Sequence, residues 1–87
     1  MAVMVKLQVY FEHDCWTCDE TQRIVAELSP QFPRVAIELI DAARSGLPEN
    51  VFAVPTYVLD GRVISLGNPY PDELRRQLWT ALRGHPT

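Results

Sequence analysis

Near the start of the chain, Val3, Val5, Leu7 and Val9 alternate with Met4, Lys6, Gln8 and Tyr10. A period of two places one set of side chains on each face of a pleated ribbon, which predicts a strand over 3–11. Glu12, His13 and Asp14 break the alternation, and the period then changes. Thr21, Ile24, Val25 and Leu28 fall at spacings of 0, +3, +4 and +7, one stripe of a helix running from Cys15 to about Leu28. Asp14 is the expected N-cap, Asp19 and Glu20 suit the first turns, and Ser29-Pro30 and Phe32-Pro33 end the helix. Val35 to Ile40 read as a second strand with Val35, Ile37 and Leu39 on one face. A connection over 41–50 has room for a short helical turn, limited by Gly46 and Pro48. Two β-prone runs, Thr56–Leu59 and Arg62–Leu66, flank Asp60-Gly61, and an Asp-Gly pair accepts the positive φ angles of a tight hairpin. A last helix spans 72–83 with Leu74, Leu78, Ala81 and Leu82 inward, stopped by Gly84 and Pro86. The order is β-α-β-(short α)-β-β-α. The helix between the first two strands favours parallel pairing and the hairpin adds two antiparallel strands, so an α/β fold with a mixed sheet is expected. With no repeat or linker in 87 residues, one domain over 1–87 is expected.

Composition narrows the functional classes. The hydrophobic content of 47 % is enough to argue against disorder. A net charge of −3 argues against nucleic acid or an anionic membrane surface as partner. No apolar run reaches the roughly 20 residues that span a bilayer. Met1 to Lys6 lack the basic head and cleavage site of a secretory signal, so a cytoplasmic location is expected.

The chemistry concentrates in Cys15-Trp16-Thr17-Cys18, which holds both cysteines of the chain. A bridge across so few residues closes a tiny loop and constrains the unfolded chain little, and disulfides of the reducing cytoplasm are usually transient and catalytic. A thiol at a helix start meets backbone N–H groups and the positive end of the helix dipole, which favour its thiolate. Cys15 is placed to be the nucleophile, and Cys18, one turn on, to resolve the mixed disulfide. His13 is a candidate to stabilise that thiolate or shuttle a proton, against the alternative of a solvent-facing loop histidine. Trp16 is either a contact for a protein partner or a lid on its own domain. Tyr57 and Trp79 are expected to be packing residues. The same thiols, with His13, also fit half of a metal site, although the one other imidazole is His85, near the end of the chain.

A strand, a Cys-x-x-Cys, a helix, a strand, and then Val54-Pro55-Thr56 ahead of an Asp-Gly hairpin resemble the thioredoxin/glutaredoxin superfamily over about Val3 to Leu82. The resemblance implies a four-stranded mixed sheet flanked by helices, with Cys15 and Cys18 catalytic and Pro55 as a cis-proline. It implies too that Val54 offers its backbone to a bound peptide or glutathione, with Trp16 and Thr17 beside the substrate. Trp16-Thr17 stands where thioredoxins usually carry Gly-Pro and glutaredoxins Pro-Tyr. Val9 occupies the position of the buried aspartate of thioredoxins. Leu66-Gly67-Asn68-Pro69 has one glycine where glutaredoxins have two.

The leading expectation is a thiol–disulfide oxidoreductase acting on protein disulfides, fed by an unidentified reductase. It is expected to be a monomer without cofactor or resident metal and to use glutathione poorly. A metal- or cluster-binding carrier and a thioredoxin-fold interaction domain are the alternatives.

Overall fold

The computed structural model describes residues 5–13 and 17–84. Strand β1 (Val5–Phe11) leads to helix α1 (Cys18–Leu28), which continues as a 3-10 turn over Ser29–Gln31. Strand β2 (Val35–Asp41), the short helix α2 (Ala42–Ser45), strands β3 (Thr56–Leu59) and β4 (Arg62–Leu66), and helix α3 (Pro71–Gly84) complete the chain. The strands form one sheet in the order β2-β1-β3-β4. β1 runs parallel to β2 and antiparallel to β3, and β3 runs antiparallel to β4.

The alternation in β1 sorts its side chains between two apolar clusters. Val5, Leu7 and Val9 join Tyr57 and Leu59 of β3 beneath Ile24, Val25 and Leu28 of α1 and Leu74 and Leu78 of α3. Tyr10 belongs to the second cluster, with Val51 and Val58. Every residue of β3 is buried, as a central strand covered on both faces requires. At the hairpin, Asp60 and Gly61 have φ of 49° and 85°. Asp60 also ties the turn to β1: its N–H donates to the Lys6 carbonyl at 2.8 Å, and its carboxylate accepts from the Lys6 N–H at 2.9 Å.

Several boundaries and exposures differ from the sequence expectation. Helix α1 begins at Cys18 rather than Cys15, with Thr17 as N-cap and no capping bond from its side chain. The expected cap, Asp14, lies outside the described residues, as do Val3 and Met4 of the expected first strand. Cys18 therefore takes the first helical position instead of sitting a turn inside. Helix α3 starts at Pro71, because a proline at the first position forfeits an N–H that has no intrahelical partner there. Leu39 shares a face with Val35 and Ile37, yet it is 41 % exposed while Val35 is buried. β2 is an outer strand, and the packed cover thins toward its far end. Trp79 lies one residue past buried Leu78, turned by about 100° around the helix. It is 53 % exposed, and its ring tilts against Phe32 at the rim of the core, centroids 5.2 Å apart. Tyr57, by contrast, is fully buried.

Candidate functional site

The site is assembled where the start of α1, the segment before β3 and the loop after β4 meet. Cys18 is 1 % exposed and disulfide-bonded. The N-cap beside it, Thr17, has a helical backbone (φ −83°, ψ −12°), and its carbonyl accepts the first helical bond from the Thr21 N–H at a long 3.3 Å. The Thr21 hydroxyl also points at that carbonyl, at 3.4 Å.

Among the described residues, a shorter bond to the same carbonyl comes from elsewhere in the sequence. Asn68, in the loop after β4, donates its Nδ2 to the Thr17 oxygen at 2.8 Å. Its Oδ1 accepts from Thr21 Oγ1 at 2.6 Å and from the Tyr57 hydroxyl at 2.9 Å. Both hydroxyl residues are fully buried, and an unmade bond there would leave a buried polar group unsatisfied, at a cost of about 1–3 kcal/mol. One residue earlier, the Gly67 N–H donates to the Pro55 carbonyl at 2.7 Å. Two adjacent loop residues thus reach both α1 and the segment entering β3. Pro55 is buried and follows a cis peptide bond with Val54. Val54 is half-buried against Tyr10, Val51 and Val58. Thr56 turns its buried hydroxyl back to the Ala53 carbonyl at 2.7 Å.

Charge around the helix start is partly neutralised in place. Glu20, in the first turn, pairs with Arg23, leaving Asp19 as the other acidic residue of that turn. His13 is exposed, edge-on to Phe11 with centroids 5.1 Å apart, and its Nε2 lies 3.7 Å from a carboxylate oxygen of Asp41. Burial pushes the Tyr57 phenol up to about 12, opposed by its hydrogen bonding with the Thr21 hydroxyl and reinforced by the charge of Glu20. The folded state therefore holds this proton more tightly than the unfolded chain, whose phenol titrates near 10. The resulting stability is complete below pH 10 and is lost as pH rises from about 10 to 12, by about 2–3 kcal/mol. Urea denaturation across that range is expected to show the loss, and Tyr57→Phe to remove this component of it.

No protein-family model matches the chain, and no curated protein matches it. Solved structures do. A mutant thioredoxin from Halobacterium salinarum is 25 % identical and superposes with a TM-score of 0.73, covering 97 % of this chain and 80 % of that one. Mitochondrial thioredoxin 3 from Saccharomyces cerevisiae, in its oxidised form, gives 0.71 at 24 % identity, over 90 % and 79 % of the two chains. Fasciola hepatica thioredoxin gives 0.66 at 22 %, over 88 % and 80 %. The chain has the thioredoxin-like fold.

Within this thioredoxin-like fold the residues singled out from sequence fall into three groups. Thr17, Cys18 and Pro55, with Val54 joined to it by the cis bond, are brought to one place through Gly67 and Asn68. Cys15 and Trp16 lie outside the described residues. His13 is turned toward Asp41 and Phe11. Asn68 carries no signal of its own in the sequence, because an asparagine between Gly67 and Pro69 has the ordinary composition of a turn. Its role depends on partners 47 and 51 residues away, and local pattern carries no trace of them. Tyr57, read as packing, is packed but also gives its hydroxyl to this network.

Proposed function

We propose that the chain is a thiol–disulfide oxidoreductase acting on protein disulfides through Cys15 and Cys18. The observation that supports it best is the disulfide at Cys18, set at the first position of α1 in a thioredoxin-like fold. In the reductive direction the Cys15 thiolate attacks a substrate disulfide. A mixed disulfide forms, and one substrate sulfur leaves as thiolate and takes a proton. Cys18 then gives up its proton and attacks the Cys15 sulfur, releasing the second substrate thiol and leaving a Cys15–Cys18 disulfide. Two electrons have passed to the substrate, and an external dithiol reductant restores the pair. A cytoplasmic setting, a dedicated reductase and action as a monomer belong to the same reading.

The test is stoichiometric. Reduced protein mixed with a disulfide-bonded peptide should lose two thiols per peptide disulfide opened. Retention of both thiols while the peptide stays oxidised would leave the carrier or interaction-domain alternatives, and visible absorbance of protein purified without air would select the former. Glutathione is expected to serve poorly, since the loop after β4 has one glycine, and Asn68 of that loop is bonded within the protein through both ends of its amide. Saturable reduction of glutathione mixed disulfides at a rate matching that for the peptide would contradict this.

A further inference from the structure

We propose that Asn68 is a positioning residue for the thiol site: its amide clamps the Thr17 carbonyl, and with it the peptide plane that carries the Cys18 N–H, to the loop that also holds Pro55. The proposal rests on the dithiol reading above. Both acceptor positions of the Asn68 oxygen are taken, by Thr21 Oγ1 at 2.6 Å and the Tyr57 hydroxyl at 2.9 Å. The Thr17 carbonyl can only accept, so it settles the orientation of the amide: the NH2 end faces that carbonyl, and the oxygen faces the two hydroxyls, which can donate to it. That contact, at 2.8 Å, is shorter than the helix's own bond to the same oxygen at 3.3 Å. The side chain therefore holds this carbonyl more closely than the helical ladder does.

A peptide unit is planar, so fixing the Thr17 oxygen fixes the direction of the Cys18 N–H. That N–H belongs to the first helical residue, at the positive end of the α1 dipole, where a thiolate is stabilised. The neighbouring Gly67 N–H holds the Pro55 carbonyl at 2.7 Å, so one short loop sets the spacing between the thiol motif and the proline segment. Asparagine suits the place because it supplies two acceptor sites and a donor from one short side chain. Aspartate would set an oxygen against the Thr17 carbonyl, and leucine would supply neither function. Because burial holds the Tyr57 phenol at about 12, its donor persists throughout the range in which thiols titrate.

Asn68→Leu changes no charge beside Asp19, Glu20 or Arg23, so a response of the thiols reports geometry. The thiolate fraction at neutral pH, followed by ultraviolet absorbance, is expected to fall about threefold. At alkaline pH the equilibrium with a dithiol buffer is expected to move about threefold toward the disulfide, equivalent to about 14 mV for two electrons. Asn68→Ala carries the same test if the leucine variant does not fold. A cleft of about 320 Å³ between α1 and the loop reaches Asn68, so in Asn68→Ala solvent can enter the space that the amide leaves. Leu78→Val, in α3, is the control for lost stability alone. Shifts in an Asn68 variant but not in Leu78→Val support the proposal. Destabilised Asn68 variants with an unmoved thiolate fraction and equilibrium, or equal shifts in Leu78→Val, overturn it. A wild-type chain with no measurable dithiol couple overturns the underlying reading, and that failure is visible before any variant is made.

Discussion

Cys18→Ser should reduce steady turnover of a peptide disulfide by roughly two orders of magnitude or more and leave the substrate attached to the protein. The second step of the proposed cycle is intramolecular. Well-oriented intramolecular reactions reach effective molarities of about 10⁵–10⁸ M, which millimolar external thiol cannot replace. With serine at 18 the first attack still proceeds, and the mixed disulfide then persists. Mass spectrometry should find one substrate chain per protein, attached at Cys15. Cys15→Ser should give no adduct, because Cys18 is 1 % exposed and a substrate disulfide has no route to its sulfur. The reverse pattern, an adduct on Cys18 in the Cys15→Ser protein, would exchange the two roles.

The largest stability effect is expected in α3. This helix buries two large side chains fully, Leu74 and Leu78, while Ala81 and Leu82 pack at the edge of the same cluster. Leu78→Ala removes part of that anchor and leaves a cavity against β1 and β3, at a cost of about 2–5 kcal/mol. A chain of 87 residues has a total stability on the order of 4–13 kcal/mol. The variant should therefore lose a large fraction of its stability, read as a lower urea midpoint with an unchanged slope. A cost below about 1 kcal/mol would mean that α3 is not held by this stripe. The rim residue Trp79, already half in solvent, should cost less than Leu78 when replaced by alanine.

Much of the fold was legible before the structure because it rests on local rules. The alternation from Val5 to Val9, the stripe from Thr21 to Leu28 and the Asp60-Gly61 pair each encode an element within a few neighbouring residues. Pleat, helical pitch and positive φ act at that range. The helix between β1 and β2 made their parallel pairing the expected one, and the sheet is built that way. The cysteine spacing and the Val54-Pro55-Thr56 segment pointed to a thioredoxin-like architecture by the same local means. What the sequence did not reveal depends on which surfaces meet. Leu39 alternates like a core residue and is exposed, because only the packing of the sheet decides how far cover extends over an outer strand. Trp79 is apolar enough for a core and sits at its rim, because the rotation of α3 is set by Leu74 and Leu78. Asn68 reads as a turn residue and instead joins Thr17, Thr21 and Tyr57. A hydrogen bond needs its partners within about 3 Å, and chain folding alone brings together residues separated by 51 positions.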